Sequence, residues 1–97
     1  MNIQAMMAQA RKMQKDLEKT TAEIEGTTFN FENDNILVEA KGNNKITKIV
    51  IKNEDLMEDK EILEDMMLVA INDILDQIVK TKEQKLGKYT GGLGGLF

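Results

Sequence analysis

The sequence predicts an α+β domain built as a long N-terminal helix, a three-stranded antiparallel meander and a long C-terminal helix. Three observations carry that reading. From Ile3 to Ile24 apolar residues recur at intervals of three and four, the period of one helix face. After Gly26 the period shortens to two, the alternation of a half-buried strand, and from Asp59 the helical rhythm returns. A chain of 97 residues with 41% apolar and 31% charged side chains is one soluble domain's worth, so residues 1–97 are expected to fold as one unit.

The first helix is expected over residues 1–25. Ile3, Met6, Ala10, Met13, Leu17 and Ile24, with Thr20 at the one polar step, occupy the a and d positions of three heptads, the seam by which one helix packs lengthwise on another. Such a rod is roughly 35 Å long. A short chain cannot easily cover it, so part is expected to project or to pair with a second copy. Gly26 ends the rod.

Three strands are expected within residues 27–52. Thr27 to Glu32 sets Phe29 and Phe31 on one face, Ile36 to Lys41 sets Ile36, Val38 and Ala40 on one face, and Lys45 to Lys52 is rich in β-branched residues. Asn33-Asp34-Asn35 and Gly42-Asn43-Asn44 are turn chemistry, short enough to force antiparallel neighbours. Asn53 to Met57 reads as a connecting turn. Asp59 is a good N-cap for a second helix over residues 59–86. Its apolar stripe, which includes Met66, Ala70, Ile74 and Ile78, is wide enough to be buried on two sides, against the sheet and against another helix. Together with Ile3, Met6, Met13 and Leu17 these four are the expected core or dimer contacts. Residues 87–97 hold five of the seven glycines and are expected to form a flexible tail.

Composition narrows the function. The chain contains no Cys, His or Ser. Disulfides, thiolate nucleophiles, zinc–thiolate sites and a side chain that titrates near neutrality are therefore excluded, and no enzyme, metal or cofactor is expected. No apolar run is long enough for a membrane span, and Met1-Asn2-Ile3-Gln4 does not open like a signal peptide, which points to the cytoplasm. With four aromatic residues the core must be made from Ile, Leu, Val and Met, and small domains of that kind often gain stability by pairing.

Net charge is −4, unevenly spread. Residues 54–79 hold nine acids against Lys60 alone, while residues 80–97 hold Lys80, Lys82, Lys85 and Lys88 against Glu83 alone. Asp59 and Glu61 at one end of the second helix and the lysines at the other complement its macrodipole. The acids lack the order of a calcium-binding loop and read as a solvated face. Arg11, Lys12 and Lys15 are more informative, because no acid precedes Asp16. In the heptad register they fall at b, c and f, with Lys19 again at c, opposite the apolar seam. That pattern is either a solvated face or the footprint of phosphate-backbone binding. Gly87-Lys88-Tyr89-Thr90 imitates a phosphate loop only superficially, since a helix rather than a strand precedes it and Tyr intervenes.

The opening Met6-Met7-Ala8-Gln9-Ala10-Arg11-Lys12-Met13-Gln14, the segment Glu58-Asp59-Lys60-Glu61-Ile62-Leu63-Glu64-Asp65 with Ala70-Ile71-Asn72-Asp73, and the ending Lys85-Leu86-Gly87-Lys88-Tyr89-Thr90-Gly91-Gly92-Leu93 follow in that order. Together they resemble the YbaB/EbfC family of bacterial nucleoid-associated DNA-binding proteins. The resemblance implies an intertwined, tweezer-like homodimer whose sheets and second helices share a core and whose projecting helices bind duplex DNA. It implies a nucleoid location, a part in nucleoid organisation or gene expression, and no small-molecule substrate. It assigns DNA contact to Arg11, Lys12, Lys15 and Lys19, and to Lys80, Lys82, Lys85 and Lys88. A pI near 4.8 opposes long-range attraction to a polyanion, so binding is expected to rest on local patches. The alternative is a protein-interaction or chaperone-like dimer that uses Met-rich apolar surface without binding DNA.

Overall fold

The computed structural model describes residues 2–90. Helix α1 spans Ile3–Gly26, strands β1, β2 and β3 span Thr28–Glu32, Ile36–Lys41 and Lys45–Ile51, a 3-10 turn spans Glu54–Glu58, and helix α2 spans Lys60–Thr90. The class is α+β, and the sheet is an antiparallel meander in the order β1-β2-β3.

Local chemistry sets these limits. Asn2 caps α1 by accepting the Gln4 N–H on its side chain. At the other end the Thr27 N–H and hydroxyl donate to the Ile24 and Glu23 carbonyls, which closes the helix as Gly26 is passed. The Asn33 side chain accepts the N–H groups of Asn35 and Ile36, and Asn44 takes a positive φ of 67° in the second turn. Asp59 caps α2 with its carboxylate on the Ile62 N–H at 3.2 Å.

The connecting turn expected from Asn53 is the 3-10 turn, which buries Leu56 and is pinned by the Asn53 amide on the Asn35 side chain. One expectation is corrected. Helix α2 does not stop at Leu86. It continues through Gly87 to Thr90, so the expected tail is helical over residues 87–90, and its remainder lies outside the described residues. One glycine inside a helix costs about 1 kcal/mol, and Leu86, which is buried beside it, outweighs that cost.

The core is small and lies between sheet and helix. Ile36, Val38 and Ala40 of β2 meet Ala70, Ile74 and Ile78 of α2, all fully buried, with Phe29, Phe31 and Met67 packed around them. Helix α2 lies mainly over β1 and β2, and α1 packs on α2. Every residue from Asn2 to Asp16 is exposed, whereas Leu17, Thr20, Thr21 and Ile24 are half-buried or buried. The radius of gyration is 19.0 Å, against about 13 Å for a compact chain of this length. Length beyond the core is the reason: the N-terminal half of α1 projects as an arm.

Candidate nucleic-acid interface

The arm sorts its side chains by helical angle. At about 100° per residue, Lys12, Lys15 and Lys19 fall within roughly 60° of one another and Arg11 lies about 40° further round, while Leu17 and Ile24 lie on the opposite side. All four cations are exposed, and Arg11, Lys12 and Lys15 surround a shallow hollow floored by Ala8. The Arg11 Nε donates to the Met7 carbonyl at 3.4 Å, which lays its stem along the helix.

Among the described residues none of these cations has an ion-pair partner. Asp16 and Glu23 stand four residues beyond Lys12 and Lys19, yet the one ion pair among the described residues is Lys52 with Glu32 at 3.0 Å. An exposed cationic face without carboxylate partners is free to exchange its counterions for phosphates. Because the apolar side of α1 packs toward the body, the cationic side faces away from it.

The lysines near the end of α2 behave differently. Lys80, Lys85 and Lys88 are exposed and Lys82 is half-buried. Lys82, Lys85 and Lys88 step round the helix by about 60° each, whereas Lys80 stands about 160° from Lys82, so the four do not share a face. The Lys88 ammonium sits over the Tyr89 ring, 5.0 Å from its centroid. The arm therefore gathers its four cations, and α2 presents at most three in a fan.

The expected core or dimer contacts divide in the same way. Ala70, Ile74 and Ile78 are buried, and Met66 and Leu17 are half-buried. Ile3, Met6 and Met13 are 72%, 52% and 44% exposed. Among the described residues of one chain nothing covers them, because α1 outruns the body that would do so. Ala8 is the residue the sequence reading passed over. Its signal was its place four and seven residues before Lys12 and Lys15, where a small side chain lets a backbone approach.

Nothing else among the described residues competes as a site. An open apolar hollow lined by Phe31, Ile62, Met66 and Val69 has Asp65 and Asn33 at its rim, the wrong charge for a phosphate. No group of three or more acidic side chains there could hold a metal ion, and no helix is long and apolar enough to cross a membrane.

The family described as the YbaB/EbfC DNA-binding family matches residues 1–93. A nucleoid-associated protein of Lactococcus lactis subsp. lactis is 45% identical over 96 residues, which covers 96% of this chain and 97% of that protein. Nucleoid-associated proteins of Enterococcus faecalis and Ligilactobacillus salivarius are 40% and 36% identical over 99 residues, covering 98% and 99% of this chain and 94% and 95% of theirs.

Proposed function

The chain belongs to the YbaB/EbfC DNA-binding family, and from that premise we propose that it binds duplex DNA as a homodimer, through the cationic face of α1, with little sequence preference. The observation that carries the proposal is the set Arg11, Lys12, Lys15 and Lys19, without an ion pair among the described residues, on the outward side of a projecting helix. Cations of this kind contact phosphates, and phosphates position a protein on a duplex without reading its sequence. A nucleoid location, and an influence on nucleoid organisation and gene expression, follow from such binding. We propose no catalytic role.

Pairing is supported by apolar surface that one chain leaves uncovered. By strand register Ile46, Ile49 and Ile51 share the face of Ala40, Val38 and Ile36. Because α2 lies over the other two strands, Ile46 and Ile49 remain 39% and 47% exposed. On α2 the sequence Leu68, Ile71, Leu75, Val79 runs at intervals of three and four, with Leu68 62% exposed. A second copy laid on this surface removes both from water.

A salt titration of duplex binding is the test. If each protomer contributes three to four cations, the dimer neutralises about six to eight phosphates, and log affinity falls against log salt with a slope of roughly −5 to −7. Binding that is flat with salt, or absent at low ionic strength, overturns the proposal. Charge reversal at Arg11, Lys12 and Lys15 together is expected to abolish binding while the dimer persists.

A second reading, capture of a protein partner on methionine-rich surface, is favoured by the exposure of Met6, Met7 and Met57. It predicts capture that is insensitive to salt and is lost when Met6 and Met7 are made polar.

A further inference from the structure

The arm has a second face that DNA contact does not use. Ile3, Met6, Ala10 and Met13 continue, without a break in spacing, the seam whose Leu17 and Ile24 already pack in the body. The seam is a helix-packing surface, and none of the described residues covers its N-terminal half. A short exposed amphipathic helix is marginal in water by itself, so covering this half stabilises the arm.

We infer that this half of the seam is a self-association surface on which the arm of another dimer lies, so that two DNA-bound dimers are joined arm to arm. This inference builds on the DNA-binding reading. Three observations choose a second copy as the occupant. The a and d spacing fits a like seam, knob into hole. Of the positions that flank it over the arm, Met7, Gln9 and Gln14 carry no charge and only Asp16, at its inner end, does, so like lies on like with little repulsion, and a charged partner gains little guidance from them. Finally, Lys12, Lys15 and Lys19 stand opposite the seam, so pairing two seams turns two cationic faces outward in opposite directions. Each face is then open to its own duplex.

The contact is short, fewer than three heptads, and is weak between free dimers. Dimers held side by side on DNA raise one another's effective concentration, and there the contact is populated. The expected activity is therefore bridging: a duplex fixed to a bead captures a second, labelled duplex in the presence of the protein.

Two measurements test this. Met6→Gln with Met13→Gln keeps charge and helix propensity, and is expected to leave single-duplex affinity within about twofold while bridging falls at least about tenfold. Bridging unchanged in that variant overturns the inference. The second measurement is independent of DNA. The natural chain has no cysteine, so Ala10→Cys places one thiol on the seam and Ala8→Cys one on the cationic face. Oxidation at high protein concentration is expected to double the particle mass for Ala10→Cys, by light scattering, and to leave Ala8→Cys unchanged. Three results overturn the inference: no doubling, a cross-link inside the existing dimer, or doubling only after residues 91–97 are removed, which puts the chain's own C-terminal segment on the seam. A protein that binds no duplex but doubles its mass through Ala10→Cys keeps the seam contact and removes the DNA reading instead.

Discussion

At the scale of single residues, the sharpest constraint is Gly42. A Cβ there runs into the Ile24 carbonyl, so the second hairpin turn and the last turn of α1 meet only because the side chain is absent. Gly42→Ala is expected to destabilise the fold by about 1–3 kcal/mol in urea denaturation, since backbone rather than a flexible side chain must yield. Ile74→Ala, which empties a fully buried position between sheet and helix, is expected to cost about 2–5 kcal/mol. The turn at Gly42 was legible in the sequence as turn chemistry, but its closeness to α1 was not, because that contact joins residues far apart in the chain. Gly87 shows the converse. Its composition reads as a helix end, yet Leu86 beside it is buried and the helix runs on. A local signal worth about 1 kcal/mol yields to tertiary packing.

At the scale of elements, periodicity located both helices and the first two strands to within a few residues, because their apolar residues recur on one side, and β-branched content located the third. Periodicity also placed Arg11, Lys12, Lys15 and Lys19 on a single face of α1. For the lysines of α2, to which the family resemblance assigns DNA contact, the helical angle divides the set, with Lys80 turned away from Lys82 and Lys85. The two groups therefore differ in their expected contribution. Lys15→Ala removes two phosphate contacts per dimer and is expected to make the salt slope shallower by about 2. Lys80→Ala, turned away from Lys82 and Lys85, is expected to leave the slope nearly unchanged. Equal effects from the two substitutions, measured in the same titration, would mean that α2 rather than α1 sets the binding face.

At the scale of the whole molecule, the proposed binding brings a protein of net charge −4 to a polyanion, and the chain keeps its charges apart. The acids crowd the start of α2, and the cations of α1 stand on a separate projecting arm. On the proposed reading, separation alone gives each chain only three or four phosphate contacts, a shallow grip that salt at physiological strength loosens. In the proposed dimer two arms on one particle double the contacts, so affinity depends on the surface that joins the copies. The proposal puts Ile49 on that surface: its face of the sheet is apolar, α2 leaves it uncovered, and it is exposed enough to take a charge without disturbing the core. Ile49→Asp is expected to leave the single chain folded and to halve its mass in light scattering, because a carboxylate cannot be buried unpaired against a second copy. The same substitution is expected to reduce the salt slope from roughly −5 to −7 to about −3, the value for one arm. A dimer that survives Ile49→Asp moves the joint away from β3, and a halved mass with an unchanged slope shows that one arm alone grips the duplex.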